Sequence, residues 1–376
     1  MRAYKIFFIS LFLILPFVLT GCISVKNGPE VGSSGGFFLT PDSEKWANRS
    51  AIYTANGEVK TFSGANITSI ALDPEDEAAI YLGTQTNGIY YSYNYGQGWT
   101  NTLAGQGTIN DIVVHPKDKC NIYAAVYNKI WYSEDCSRTW DTLYFEARAN
   151  KFVTALEINY SNPDIVYAGT NEGSFLRSLD KGKSWEVLYR FQDDVQDIVV
   201  QNHSDSNIIY VLTKSKGAWR SNDGGLNWED LMELPVYELE NVTENGKTFT
   251  KIKKVDEAKP FFKVSGVKLA VAVASDRTKA DSLIYANRIG MFRFNGEYWE
   301  QYKLLTPKNK ETIYSVAVNP KDGNDIYYGT SAALYHTIDN GANWIIKELP
   351  TTRAAGELNF SANSQLLYLG SYKIEK

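Results

Sequence analysis

The stretch "VTALEINYSNPDIVYAGTNEGSFLRSLDKGKSW", residues 153–185, decides the fold. An apolar residue alternates with a polar one through "VTALEI", a polar loop follows, and "DIVYAG" reads as a second, buried strand. "SFLRS" gives a third strand after a short turn, and a tight Asp/Gly turn ends on Trp185. Period-two alternation and turn clusters argue for strands and against helices. The same template recurs at 67–99, 109–140, 195–228 and 313–344, and in weaker form at 282–299.

The tyrosines assigned to the second strand are Tyr81, Tyr123, Tyr167, Tyr210, Tyr285, Tyr327 and Tyr368, at spacings of 42, 44, 43, 75, 42 and 41. A repeat near that length with four strands (A to D) is the pattern of propeller blades. The expected fold is all-β, a seven-bladed β-propeller of four-stranded blades. The last copy, "LNFSANSQLLYLGSYKIEK", stops after strand B, and "GGFFLTPDSEKW" (35–46) resembles the missing half. N- and C-terminal strands are therefore expected to share one blade, which removes open sheet edges.

Each copy ends in a related turn: "SYNYGQGW" (92–99), "SEDCSRTW" (133–140), "SLDKGKSW" (178–185), "SNDGGLNW" (221–228) and "TIDNGANW" (337–344). The pattern S/T-x-D-x-G-x-x-W resembles the Asp-box, or BNR repeat, of sialidases, sortilin-type receptors, xyloglucanase-type glycoside hydrolases and photosystem II assembly factors. Its residues here are Ser92, Asn94 and Trp99; Ser133, Asp135 and Trp140; Ser178, Asp180, Gly182 and Trp185; Ser221, Asp223, Gly225 and Trp228; and Thr337, Asp339, Gly341 and Trp344. The carboxylate can accept N–H bonds from its own turn, Gly supplies a positive φ, and Trp is expected to pack against its hairpin. A catalytic carboxylate is needed once or twice; one that recurs in most blades reads as structural.

The N-terminus carries Arg2 and Lys5, a short apolar run, and Leu19-Thr20-Gly21-Cys22. Residues 1–21 read as a signal peptide. "LTGC" resembles a bacterial lipobox, which implies a lipidated Cys22. Residues 22–35 would be a lipidated, Gly/Ser-rich tether and 36–376 the propeller. Loss of the leader takes the net charge from −5 to −7. With no basic block, nucleic acid is not an expected partner. The expected location is the bacterial cell envelope, extracytoplasmic, periplasmic or cell-surface.

One blade spacing is long, and the excess falls at about 232–262, after Trp228. "ENGK" reads as a hairpin turn, and the insertion is expected as a loop or hairpin over the channel mouth, opposite the aspartate turns. Binding candidates on that face are Tyr144, Arg148, Tyr189, Arg190, Arg288 and Arg353. Asp193, Asp194, Glu229 and Asp230 are loop carboxylates with no spacing that singles out a catalytic pair. His115, His203 and His336 lie whole blades apart, so no metal site, no cofactor and no catalytic residue is expected. Cys120 and Cys136 fall on strand B and just past strand C of one blade. Pairing about Asn128 places them opposite each other, within disulfide reach; two unpaired thiols are the alternative.

The reading is a non-enzymatic, membrane-anchored scaffold with a protein partner in the envelope. The alternative is a glycan-binding or glycoside-hydrolase propeller, sialidase-like or xyloglucanase-like.

Overall fold

The computed structural model describes residues 35–201, 207–244, 247–254, 270–279, 281–287, 290–306 and 310–374. Side chains within 238–272 lie outside the described set. Seven four-stranded antiparallel blades form a seven-bladed β-propeller.

Strands A to D of the first blade are Ile67–Leu72, Ile80–Thr84, Ile89–Ser92 and Thr100–Thr102. The second has Ile109–Val114, Ile122–Val126, Lys129–Ser133 and Asp141–Phe145, and the third Val153–Ile158, Val166–Thr170, Ser174–Ser178 and Glu186–Arg190. The fourth has Val195–Val200, Ile209–Thr213, Gly217–Ser221 and Glu229–Asp230, and the fifth Ala270–Ser275, Leu283–Asn287, Gly290–Phe294 and Trp299–Gln301. The sixth has Ser315–Asn319, Asp322–Gly329, Leu334–Thr337 and Ile345–Lys347.

The seventh blade is shared between the termini. Ala354–Phe360 and Leu367–Tyr372 supply A and B, and Phe37–Thr40 and Ala47–Asn48 supply C and D. Phe37 pairs with Gly370 and Thr40 with Leu367. The A–B and C–D turns lie on one face, here the turn face. The B–C turns and D–A connections lie on the other, the entry face, where the described chain begins at Gly35.

The blades are held by seven apolar clusters, one at each inter-blade boundary. The closing Trp stays on its own turn, as expected from sequence: Trp185 and Trp228 donate Nε1–H to the Gly182 and Gly225 carbonyls, and Trp299 lies against Phe294 of its own hairpin. It also wedges against the preceding blade. Trp228, for instance, lies edge-on to Phe175 and Phe191 of the third blade and its neighbouring connection, with centroids at 5.2 and 4.9 Å. The strand-B tyrosine of the preceding blade enters the same boundary: Tyr167 shares its cluster with Trp228, and Tyr123 with Trp185.

Tyr285 departs from this pattern. By register, Ile284 occupies the position of Tyr81, since Ala272 pairs with Ala286 as Ser69 pairs with Gly83. Strand side chains alternate, so a one-residue shift turns Tyr285 to the opposite side of its blade. It packs with Phe292 and Trp299 against the fourth blade, while Ile284 faces the sixth.

The insertion also differs from expectation. Val236–Glu244 and Lys247–Lys254 form an antiparallel hairpin, and Val236–Glu238 pairs in parallel with Trp299–Gln301, the outermost strand of the fifth blade. The described part therefore widens that blade outward to six strands and does not project over the axis. Residues 255–262 lie outside the described residues.

Cys120 and Cys136 are disulfide-bonded, with Cα atoms 4.0 Å apart. The register is not the one expected. Val126 pairs with Lys129 about a two-residue turn, which sets residue 120 against 135. The cysteines meet because Cys136 and Ser137 both take left-handed conformations (φ 60° and 66°), and the Cys136 N–H donates to the Cys120 carbonyl at 3.3 Å.

Two outcomes follow from this packing. Gly225 has φ +94°, and a Cβ there would fall 2.7 Å from the Phe175 ring. Gly225→Ala should destabilise the fold by about 2 kcal/mol through strain and overpacking, read as a lower denaturation midpoint. Replacing both Cys120 and Cys136 with Ala should lower stability by roughly 3 kcal/mol, because the cystine closes a short loop in the unfolded chain.

Candidate functional site

The recurring turn carboxylates are already occupied. Asp223 Oδ1 accepts the backbone N–H groups of Leu226 and Asn227 at 3.0 and 2.9 Å and the Ser221 hydroxyl at 2.8 Å, and Oδ2 accepts Asn227 Nδ2 at 2.6 Å. Ser221 Oγ in turn accepts the Gly225 N–H at 2.8 Å. Asp135 and Asp180 repeat the arrangement, as does Asp339 with Asn343. In the first blade Asn94 accepts from Ser92 and the Gly98 N–H.

The bonds from Asn227 hold Asp223 down to about 2. Bonds from Thr139 do the same for Asp135, and bonds from Ser184 for Asp180. A carboxylate so stabilised in its charged form is a poor proton carrier near neutrality. In four blades the residue just before the Trp completes the turn: Thr139, Ser184, Asn227 or Asn343. That hydrogen-bonding position is visible in the aligned turns as a Thr, Ser or Asn just before the Trp.

The binding candidates on the entry face divide into three groups. Tyr144, Arg148 and Arg190 gather about Glu146 and Glu172. Arg148 donates through Nε and Nη2 to Glu146 at 2.8 and 2.6 Å and is also ion-paired with Glu172. Tyr144 donates to Glu146 at 3.1 Å, and Arg190 lies 3.8 Å from Glu172. The fork from Arg148 holds Glu146 down to about 2. Tyr189 is instead part of the aromatic wedge with Phe191 and Trp228. Arg353 sits apart at the ring seam, donating to the Gly64 and Ala65 carbonyls at 3.1 Å. Arg288 lies outside the described residues.

The loop carboxylates are engaged in turns and ion pairs. Asp193 accepts the Ser215 and Lys216 N–H groups, and Asp194 pairs with Lys214 at 3.4 Å. Glu229 pairs with Arg220 at 2.6 Å, and Asp230 accepts the Met232 N–H. His115 Nδ1 accepts from the Lys117 N–H, and His336 stacks on Tyr327 beside Asp325. His203 lies outside the described residues.

A second set of carboxylates lies on the innermost strands. Ser69, Asp111, Ala155, Asp197, Ala272, Ser315 and Glu357 hold one equivalent position, facing Gly83, Ala125, Gly169, Leu212, Ala286, Gly329 and Gly370 across the A–B pairing. Glu157 lies two residues beyond Ala155. Asp111 bridges blades: Oδ2 accepts the Leu156 N–H at 2.8 Å, and Oδ1 accepts the Ile112 N–H at 2.8 Å and Ser69 Oγ at 3.3 Å. Asp197 and Glu157 accept the N–H of Ile198 and Ile158.

Burial among the inner strands pushes Asp111 up to about 6, Asp197 to about 7 and Glu157 to about 8, with mutual repulsion adding to the latter two. Glu357 is raised well above its ordinary value for the same reasons. The cation acting on Glu157 is Arg277. Arg277 also lines a pocket of about 190 Å³ between the inner strands of the fifth, sixth and seventh blades, with Ser275, Val318, Asn359 and Phe360. The sequence signal was available: one acid inside each of the apolar runs "INDIVV", "VTALEI", "VQDIVV" and "AAGELNF".

No protein-family model matches the chain, and no curated protein matches it. Solved structures do. The GH74 xyloglucanase from Xanthomonas campestris superposes with a TM-score of 0.58 at 16% identity, over 82% of this chain and 51% of that one. An ancestral GH74 enzyme gives 0.55 at 16%, over 80% and 39%. YCF48 from Cyanidioschyzon merolae gives 0.56 at 10%, over 82% and 95%, and YCF48 bound to D1 peptide gives 0.55 at 15%, over 83% and 94%. These likenesses establish the propeller fold. The chain spans about half or less of the two glycoside hydrolases and matches nearly the whole length of the YCF48 propellers.

The axial carboxylates generate a pH dependence of definite sign. Their folded pKa values lie above the ordinary carboxylate range, so the folded state holds more protons than the unfolded chain between the two values. Their stabilising contribution is complete at mildly acidic pH and is lost as pH rises through about 6, 7 and 8. Denaturation midpoints measured from pH 5 to pH 9 should fall, and Glu157→Gln should flatten the upper part of that fall.

Proposed function

We propose that the protein is a non-enzymatic, membrane-anchored extracytoplasmic propeller that recognises a protein partner in the cell envelope. The observation that carries this reading is the division of labour among charged groups. The repeated turn carboxylates are consumed by their own backbone. The loops of the entry face instead present Arg and Tyr side chains ordered by neighbouring acids, among them Arg148, Arg190 and Tyr144. Ordered arginines and aromatics suit recognition, since little conformational freedom is lost on contact. The likeness to a propeller solved with a D1 peptide, over 83% of this chain and 94% of that one, supports a peptide-like partner. Cys22, acylated after removal of residues 1–21, would hold the ring at the membrane through residues 22–35; stable attachment takes more than one acyl chain.

A glycan is the second reading. It is favoured by the likeness to GH74 enzymes and by axial carboxyls that carry protons near neutrality, as a glycosidase acid must. Cross-linking and pull-down from the native envelope should recover a protein partner, with Arg148→Ala and Arg190→Ala together weakening recovery about tenfold. Binding on a glycan array, or xyloglucan cleavage abolished by Asp197→Asn, would replace this reading with the second. Cys22→Ala should stop incorporation of a palmitate analogue and release the chain from membranes.

A further inference from the structure

We infer that the pocket between the inner strands of the fifth, sixth and seventh blades binds a small hydroxylated monocarboxylate, a sugar acid of one ring, with Arg277 taking the carboxylate. The site is separate from the entry face and from the proposed anchor, and it depends on neither reading of the protein's partner.

The pocket exists because one side of the ring is lined by small residues. Two positions beyond the axial acids, the A strands carry Ala274, Ala317 and Asn359 in these three blades, paired with Ile284, Tyr327 and Tyr368. The second, third and fourth blades carry Val113, Glu157 and Val199 at the same place. The space left is about 190 Å³, with Pro320 and Phe360 in its wall. That is smaller than the roughly 300–1,000 Å³ of a drug-sized site, so it takes one ring and not a chain. Arg277 and Pro320 lie on A–B turns, so the pocket opens toward the turn face.

Arg277 is the one charged side chain in this lining, and it makes no hydrogen bond or ion pair among the described residues. The acid beside it in sequence is committed elsewhere. Asp276 is buried, ion-paired with Arg293 at 3.3 Å, and accepts the Thr278 N–H and hydroxyl at 2.9 and 2.6 Å. Lys321 on the next turn is also taken, donating to the Asn363 carbonyl at 2.7 Å. The carboxyl that Arg277 acts on is Glu157, in the third blade, and burial pushes that group up to about 8. At neutral pH the Arg277 guanidinium therefore has no counter-ion.

An anion is the complement of such a group, and the guanidinium fork matches a carboxylate through two parallel bonds. A dianion is disfavoured, because Asp111, Glu157, Asp197 and Glu357 share the axis and each one that ionises adds negative potential. The remaining polar groups call for hydroxyls. Asn359 Nδ2 donates one hydrogen to the Ile70 carbonyl at 2.9 Å, which holds the amide in place and leaves its second N–H and its Oδ1 open. Ser275 adds a hydroxyl that both donates and accepts. Pro320 and Phe360 give an apolar wall for the carbon face of a ring. A plain carboxylate would leave Asn359 and Ser275 unmet, and a neutral sugar would leave Arg277 unmet.

The test is calorimetric titration of the full chain, purified in detergent, with glucuronate. Glucose and glucose 6-phosphate serve as the neutral and dianionic controls. At pH 6 glucuronate should bind about tenfold more tightly than either control. Arg277→Met keeps the stem of the side chain and removes the guanidinium. Since Arg277 bonds to nothing in the fold, the denaturation midpoint should stay in place while glucuronate affinity falls about tenfold. Ser275→Ala should weaken binding about threefold.

The charged groups around the pocket are Arg277, the four axial acids, the Asp276–Arg293 pair, and Lys279 and Lys321 on the flanking turns. Ionisation of the axial acids sets a negative potential against the bound anion, so glucuronate affinity should decline from pH 6 to pH 9, and Glu157→Gln should flatten that decline. Absence of glucuronate binding at pH 6, glucose or glucose 6-phosphate binding as tightly as glucuronate, or unchanged affinity in Arg277→Met would overturn the proposal. Affinity that rises with pH over this range would overturn it as well.

Discussion

The ring depends on one contact repeated in the third, fourth and sixth blades, the C–D turn pressed against an aromatic or aliphatic side chain that comes from the blade before it or its connection. A Cβ on Gly225 would strike Phe175, one on Gly182 would strike Leu143, and one on Gly341 would strike Tyr302 at 2.4 Å. The turn must therefore present bare backbone, and it must do so in a left-handed conformation. Residues 181–182, 224–225 and 340–341 each take two successive positive φ values. Such a backbone leaves N–H groups pointing inward along the turn. The aspartate and the Ser/Thr hydroxyl satisfy them, and the Trp fills the wedge beside them. Each part of the motif answers a need created by the close approach.

Closing the ring makes the same demand of a blade assembled from both ends of the chain. Tyr327 of the sixth blade reaches Ser43 in the C–D turn of the seventh at 3.3 Å, and Trp46 joins the cluster between those two blades. On the other side Phe37 stacks on Tyr368 and lies edge-on to Trp99 of the first blade. Phe37 thus joins N-terminal strand, C-terminal strand and next blade in one contact. Pairing the first described strand with the last protects edges that would otherwise be open to other chains.

Much of this was legible in the sequence because the repeat supplies its own alignment. Blade number, the shared blade and the turn motif all follow from self-similarity. The failures have a common cause: period two is unforgiving of one residue. Tyr285 matched by composition but sits one position past the register, and it faces the other neighbour. Counting from Asn128 sets Cys120 opposite Cys136. The hairpin turns one residue tighter, and they meet only because the left-handed Cys136 folds back. The turn "ENGK" marks the insertion as a hairpin, but nothing in "FTKIKKV" says that a sheet edge will capture its partner strand in parallel. The axial acids do not stand out in the sequence, because each appears as a single exception inside one apolar strand. Only the ring brings four blades' exceptions to one axis.

The same chemical group thus does opposite things in one fold. An aspartate in a C–D turn accepts several hydrogen bonds at the surface and is held charged at about 2. Asp197, on an inner strand, accepts one backbone N–H, faces other acids, and is pushed up to about 7. Donor count and dielectric decide the difference, and neither is a property of the residue. A propeller forces this partition. Its turns splay outward into water, where a carboxylate can be solvated and bonded at once. Its A strands converge, so an acid placed there meets its counterparts from other blades and little else. Retaining such acids at the axis works against stability wherever the pH ionises them. Their presence on four of seven inner strands is therefore the feature of this ring that the requirements of folding do not explain.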